Sequence, residues 1–198
     1  MLTFPACPAR DLQFHPVTPD RLADLKRFSA EYGKFGYCSC MRWRLTSAEY
    51  RRSSKAERAD ALFARVIDGE ASGILAYDNE LPVGWCSVAP RQSYSALERY
   101  RALPRIDSEP VWSVVCFFVS SHYRRQGLTL SLLEAAVDYA ASEGALIVEG
   151  YPVEPDAPSY TYMGSPNTFL RAGFQDVTPA GQKRVIMRRY TTVSESVE

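Results

Sequence analysis

The chain has 198 residues, 46% of them hydrophobic and 23% charged, a balance that supplies enough apolar surface to offset chain entropy and excludes a disordered chain. Lys plus Arg number 23 and Asp plus Glu number 23, a formal net charge of zero, which argues against nucleic acid or an anionic membrane as the main partner because such binding draws on excess positive charge. No apolar run approaches the roughly 18 residues that span a bilayer, and residues 1–10, with Pro5 and Pro8, lack the basic-then-apolar order of a secretory signal.

Residues 12–17 read as a first strand. Thr18, Pro19 and Asp20 then open a helix toward Phe28, with Thr18 or Asp20 as its cap and Pro19 tolerated in the first turn. Residues 32–44 (YGKFGYCSCMRWR) hold two glycines and many aromatics without a clean period and read as a loop. A single helix is expected over 47–68, where Leu62, Phe63, Val66 and Ile67 recur at helical spacing and Gly69 supplies the stop. Residues 73–77 and 83–88 form a hairpin around Asp78, Asn79 and Glu80. The polar stretch 91–110, with Arg91, Arg99, Arg101 and Arg105, reads as a long loop or short helix, of a length that is often functional.

Residues 111–119 (VWSVVCFFV) are a nearly continuous apolar run, the signature of a strand buried on both faces. The clearest helix covers 127–142: Leu128, Leu132, Leu133, Ala136, Val137 and Ala140 share one face, and Gly144 ends it. Another buried strand begins at 145–148, followed by a Pro-rich loop at 151–166, a short helix at 167–171, strands at 174–177 and 184–190, and a loose tail at 191–198. Strand, polar turn, helix and strand make a βαβ-type unit, and the hairpins around it suggest a mixed sheet. The class is α/β or α+β, in a single domain over 1–190.

The segment with the most chemistry is FFVSSHYRRQGLTLSLL, residues 117–133. A buried strand runs through Arg124, Arg125, Gln126 and Gly127 straight into a helix, so the turn presents successive backbone N–H groups and a helix N-terminus. That combination binds phosphate; an ordinary basic helix cap uses the same residues. Gly127 lets the backbone approach a ligand without a Cβ, and Arg124 and Arg125 add charge. The spacing matches neither a Walker loop nor the three-glycine dinucleotide fingerprint.

Val119, the Arg124-x-x-Gly127 turn and the helix behind it resemble motif A of the GNAT superfamily of N-acetyltransferases, V-x-x-x-x-[RQ]-x-x-G-x-[GA], in which the turn cradles the pyrophosphate of acetyl-CoA. Thr129 stands where the motif has Gly or Ala. The stretch NTFLRAGF at 167–174 resembles the family's closing helix with its Gly-Phe ending, and the order of elements matches from the first strand to Tyr190. The resemblance implies a mixed, mostly antiparallel twisted sheet flanked by helices, with a central β-α-β cofactor unit. It also implies transfer of the acetyl group of acetyl-CoA to a primary amine of a small molecule, without a metal. Phe117, Phe118 and Val119 would offer backbone groups to the pantetheine arm where their strand splays from the one at 145–148. Arg124, Arg125, Gln126, Gly127, Leu128 and Thr129 would hold the pyrophosphate, and Asn167 and Phe169 would lie along the cofactor on its other side. Family members are often dimers, which leaves a homodimer open.

Direct transfer needs a neutral amine, and an amine of pKa about 10.4 costs roughly 4.6 kcal/mol to deprotonate at pH 7, so a base or proton wire helps. The family's strand glutamate would fall near Ser113, in a run without a carboxylate; Glu149, at the end of the neighbouring strand, is the best-placed substitute, with a solvated strand-end charge as the alternative. The family's tyrosine acid falls on Phe169, which has no proton to give, so Tyr162 or Tyr160 in the Pro-rich loop is the candidate, packing being the other role such tyrosines take. These departures leave a second reading, a non-catalytic CoA-binding or ligand-sensing module of the same fold.

The five cysteines (Cys7, Cys38, Cys40, Cys86, Cys116) form no paired framework, and a cytoplasmic, reducing compartment is expected. Cys38-x-Cys40 has no second pair to complete a zinc set, and His15 and His122 are far apart, so no metal site is expected. The loop at 32–44 often lines the acceptor pocket in this family. Tyr37, Trp43, Trp85 and Trp112, with Arg42, Arg44 and Arg91, would suit a small ligand with apolar and anionic parts, and the same aromatics would equally suit a core.

Overall fold

The apolar run that demands burial on both faces lies in the middle of a seven-stranded sheet. The computed structural model describes residues 11–33, 35 and 40–191; Cys7, Tyr37, Cys38 and the expected tail beyond Thr191 lie outside the described residues. The strands are β1 (Leu12–Pro16), β2 (Ile74–Asp78), β3 (Leu81–Pro90), β4 (Trp112–Val119), β5 (Ile147–Gly150), β6 (Gln175–Asp176) and β7 (Met187–Tyr190). Their order is β1-β2-β3-β4-β5-β7-β6. Among the described residues, only β4 and β5 pair in parallel. Asn79 carries the β2–β3 turn at φ +54°, a conformation its side chain tolerates. Thr191 is not loose: its N–H donates to the Leu146 carbonyl (3.0 Å) and its hydroxyl to that of Ala145 (2.5 Å).

The helices are α1 (Leu22–Glu31), α2 (Ser47–Arg52), α3 (Lys55–Ile67), α4 (Ser95–Glu98), α5 (Leu128–Ser142) and α6 (Pro166–Arg171). The single helix expected over 47–68 is two. Thr46 and Ser54 each accept a hydrogen bond from the backbone N–H three residues on, and Glu49 and Glu57 reach back to the cap N–H. Two capping boxes in succession restart the helix at Ser54, and the apolar period runs through the break without recording it. Thr18 also behaves differently from a cap: its hydroxyl bonds Asp20 (2.5 Å), and a 3-10 turn over Pro19–Arg21 precedes α1.

Helix α5 covers one face of the sheet, with Leu128, Leu132, Leu133, Ala136, Val137 and Ala140 buried against Val83, Val88, Val114 and Val148. Each buried leucine contributes about 1.5–3 kcal/mol. Helices α1 and α3 pack together over Leu75, Tyr77 and Trp85. A third cluster gathers Trp43, Tyr94, Leu97, Val115, Tyr151 and Met163. Val114 and Phe117 belong to the α5-side core, while Val115 joins the third cluster and Cys116 packs against the second and third. Two successive residues turned away from α5 mark a β-bulge, and the pairing agrees: Ser87 faces Cys116 and Val88 faces Val114, leaving Val115 extra.

Candidate active site

The turn after β4 is anchored before it becomes irregular. The Ser120 N–H donates to the Val83 carbonyl (3.0 Å), and the buried Tyr123 hydroxyl donates to Asp78 Oδ2 (2.6 Å), tying the turn to the β2–β3 hairpin. Arg125 then takes φ +59° and Gly127 φ +84°, left-handed positions that roll the backbone N–H groups toward one concave side. Gly127 caps the 15-residue α5, whose first N–H groups have no intrahelical acceptor and lie at the positive end of its dipole. A Cβ at Gly127 would meet no atom within 4 Å, so the space over the turn is open.

A cavity of about 220 Å³ lies here, lined by Arg124, Arg125, Gly127, Leu128, Thr129, Thr168 and Arg171 among others. Arg124 is oriented by donating Nε to the Val119 carbonyl (3.1 Å). Gln126, expected on the ligand, instead turns its amide back to the His122 carbonyl (2.7 Å). Leu128 buries its side chain in the core, so its backbone is what the turn offers.

The second feature is the gap between β4 and β5. They pair only through Trp112↔Val148, Ser113↔Glu149 and Val114↔Gly150. Beyond Val114 the bulge and the departure of the chain at Tyr151 pull the strands apart. From Cys116 to Val119, β4 pairs with β3 on one side and, among the described residues, with no strand on the other. A cleft of about 800 Å³ fills that splay, with Phe117, Phe118, Val119 and Thr129 on one wall and Val153, Tyr162, Gly164, Ser165 and Thr168 on the other. Tyr162, one of the two expected tyrosines, therefore reaches the cleft.

Asn167 and Phe169 do not line it. Asn167 is exposed, and Phe169 is fully buried beneath the cleft. A Cβ at Gly150 would lie 2.0 Å from Phe169 Cε1, so glycine at the end of β5 makes room for that ring. The family resemblance implied Asn167 and Phe169 on the ligand side; the short α6 presents Ser165 and Thr168 instead. Ser165 caps α6 by accepting from the Thr168 N–H (3.4 Å). A Ser-Pro start, the usual helix-opening pair, was the available signal for this phase.

Glu149 is neither solvated nor at the cleft. It is fully buried; Oε1 accepts from Arg91 Nη1 (2.6 Å) and the Tyr151 hydroxyl (2.7 Å), and Oε2 accepts from Arg188 Nε (2.7 Å). The network extends through Arg188 to Asp107 and through Arg91 to Glu98, which also binds Arg105. The Ser113 hydroxyl, where the family glutamate would fall, meets Tyr151 (2.7 Å). Burial pushes the Tyr151 phenol well up, and the facing Glu149 carboxylate adds to the rise. Burial opposes the Arg91 charge, yet Tyr151, Glu149 and Glu98 around it hold its pKa above the usual value. With both oxygens taken up by guanidinium and phenol donors, this carboxylate is a clamp between Arg91 and Arg188.

The expected acceptor-side residues separate. Arg91 belongs to the buried network, Trp85 is core and donates Nε1 to Cys40 Sγ (2.9 Å), and Trp112 packs edge-on against Tyr139. Trp43 stays, stacked on Tyr160 with ring centroids 5.7 Å apart, and Tyr160 meets Tyr162 at 6.1 Å. Tyr100 and Arg184 join them, with the Tyr100 and Tyr160 hydroxyls 3.5 Å apart and Arg184 over the Tyr160 ring at 4.7 Å. No local pattern points to those two.

A family model described as the acetyltransferase (GNAT) family matches residues 38–159. A search among curated proteins finds no match. Solved structures resemble the fold. YncA, described as an acetyltransferase from Salmonella typhimurium and solved with acetyl-CoA, aligns at TM-score 0.53 and 14% identity over 94% of this chain and 96% of its own. PaiA N-acetyltransferase from Thermoplasma acidophilum, in complex with coenzyme A, aligns at 0.51 and 14% over 91% and 99%. Ribosomal-protein-alanine N-acetyltransferase from Brucella melitensis aligns at 0.52 and 17% over 90% and 99%. At such identities these likenesses speak to the fold, which is that of the splayed sheet described above. The family model reaches further: it spans more than half of the sequence and includes both the phosphate-type turn and the bulged strand, and the chain belongs to the acetyltransferase (GNAT) family.

Proposed function

We propose that the chain transfers the acetyl group of acetyl-CoA directly to the primary amine of a small molecule. The observation that carries this reading is the β4–β5 splay ending on the Arg125–Gly127 turn, which joins the cleft to a backbone of the kind that binds anions. The open space over Gly127, the two left-handed residues and the unpaired edge of β4 fit the cofactor. The backbone of 124–129, with the Arg124 and Arg125 charges, would hold the pyrophosphate, and Thr168 and Arg171 border the same cavity. The edge of Phe117, Phe118 and Val119 would take the pantetheine arm. When bound, the cofactor supplies an activated thioester carbonyl.

The remaining chemistry belongs to this chain. The unpaired β4 edge orients the carbonyl, and the cleft holds the amine on the side of the third cluster, near-attack placement being worth a large share of the rate. Tyr162 stands at the cleft to return a proton to the departing thiolate. Glu149 shapes the site by fixing β5, β7 and the 91–107 segment together. A second reading, a CoA-binding or ligand-sensing module without catalysis, draws on one observation: none of the described residues lining the cleft carries a carboxylate. Thiol release from acetyl-CoA across an amine panel separates the two. Amine-dependent release supports transfer, and binding of acetyl-CoA with no release from any amine supports the module.

A further inference from the structure

The arginines around the site fall into two groups with opposite surroundings. Arg91, Arg105 and Arg188 are matched by Glu98, Asp107 and Glu149. Arg42, Arg44 and Arg184 are not. They stand over aromatic rings, Arg42 over Trp43 (5.4 Å), Arg44 over Tyr94 (4.5 Å) and Arg184 over Tyr160 (4.7 Å), and have no ion-pair partner among the described residues. The hydrogen bonds show the same deficit. Among the described residues, the buried side-chain nitrogens and oxygens without a partner are Trp43 Nε1, Arg44 Nε and Nη1, and Arg184 Nε and Nη1. All are donors, and all belong to residues that touch the third cluster or its aromatic rings. Burying charged donors without an acceptor is unfavourable, so this cluster is complementary to an acceptor-rich, negatively charged group.

Tyr160 links the cluster to the cleft. Tyr160 stacks on Trp43, lies under Arg184, and meets the cleft-lining Tyr162. It holds φ +64°, ψ +15°, an uncommon conformation for an aromatic residue and one that recurs at ligand clamps. Arg184 is half-buried; its Nη2 donates at long range to the Tyr151 carbonyl (3.4 Å) and Met163 Sδ (3.5 Å), which leaves Nε and Nη1 uncommitted.

We propose that the acceptor amine also carries a carboxylate, bound by Arg184 with the Trp43 N–H as a further donor, while the Tyr100, Tyr160 and Trp43 rings take its apolar part. This rests on the transfer reading above and adds the class of acceptor: an amino-acid-like amine. Three unmatched guanidinium groups repel a polycationic amine for the same reason that they attract a carboxylate.

The test offers a panel of L-amino acids, each also as its α-carboxamide, together with spermidine, at saturating acetyl-CoA, to wild type, Arg184→Gln and Trp43→Phe. The expected result is a kcat/KM at least about tenfold higher for the carboxylate of a pair in wild type, collapsing toward equality in Arg184→Gln and narrowing severalfold in Trp43→Phe, which keeps the ring and removes only the donor. Acetyl-CoA affinity by calorimetry should stay the same in both variants, because neither residue lines the cofactor cleft. Equal use of acid and amide, preference for spermidine, or a carboxylate preference that survives both substitutions would overturn the proposal. Absence of acetyl-CoA binding by wild type would overturn the transfer reading itself.

Discussion

In the proposed reaction Gly127, Tyr162 and Glu149 have three separable roles. Gly127→Glu places bulk and negative charge on a left-handed residue beside the phosphate-type cavity. It should weaken acetyl-CoA binding at least about tenfold by calorimetry, through like-charge repulsion and lost backbone approach. Unchanged affinity would remove the turn from the site. Tyr162→Phe should lower kcat about a hundredfold while leaving acetyl-CoA affinity in place, since only the proton donor is lost; undiminished turnover would return Tyr162 to packing. Glu149→Gln leaves Arg91 and Arg188 facing each other across a neutral amide in a buried site. Loss of one partner from a buried ion pair should cost about 3 kcal/mol, read by urea unfolding. Intact stability with a shifted pH–rate profile would instead make Glu149 a base.

At the scale of elements, the two capping boxes explain why 47–68 divides, and Thr46→Ala and Ser54→Ala should each cost about 1 kcal/mol of unfolding free energy. The central β4–α5–β5 unit was legible because its signals are local: an apolar run for the strand, a 3.6-residue period for the helix and a glycine turn between. The division at Ser53 and Ser54 was written in the two Ser/Thr-x-x-Glu patterns, yet the apolar period passed over it. The far wall of the cleft depends on the phase of a 6-residue helix, α6, where a one-residue difference exchanges Asn167 and Phe169 for Thr168. Glu149 was misplaced for a different reason. Its partners Arg91 and Arg188 lie 58 and 39 residues away, and no local pattern reports such a pairing.

Across the whole molecule the formal charge cancels, but the charges are partnered unevenly, and the balanced network ties the 91–107 segment to β5 and β7. Its acid dependence has a definite sign. The Arg188 guanidinium, donating to the Asp107 carboxylate, holds that carboxyl below its usual range. The contribution of Asp107 to stability is therefore fully present above its unfolded value of about 3.9 and is lost as the pH falls through the lower folded value. Asp107→Asn should flatten the acid limb of Tm against pH below about pH 4; an identical acid limb would place this linkage elsewhere. The proposal that the splay and its turn hold acetyl-CoA for transfer to an amine is decided by calorimetric titration with acetyl-CoA and CoA, followed by thiol release across amines. Saturable binding of both, with release that depends on the amine, is the expected result; no binding of either would overturn it.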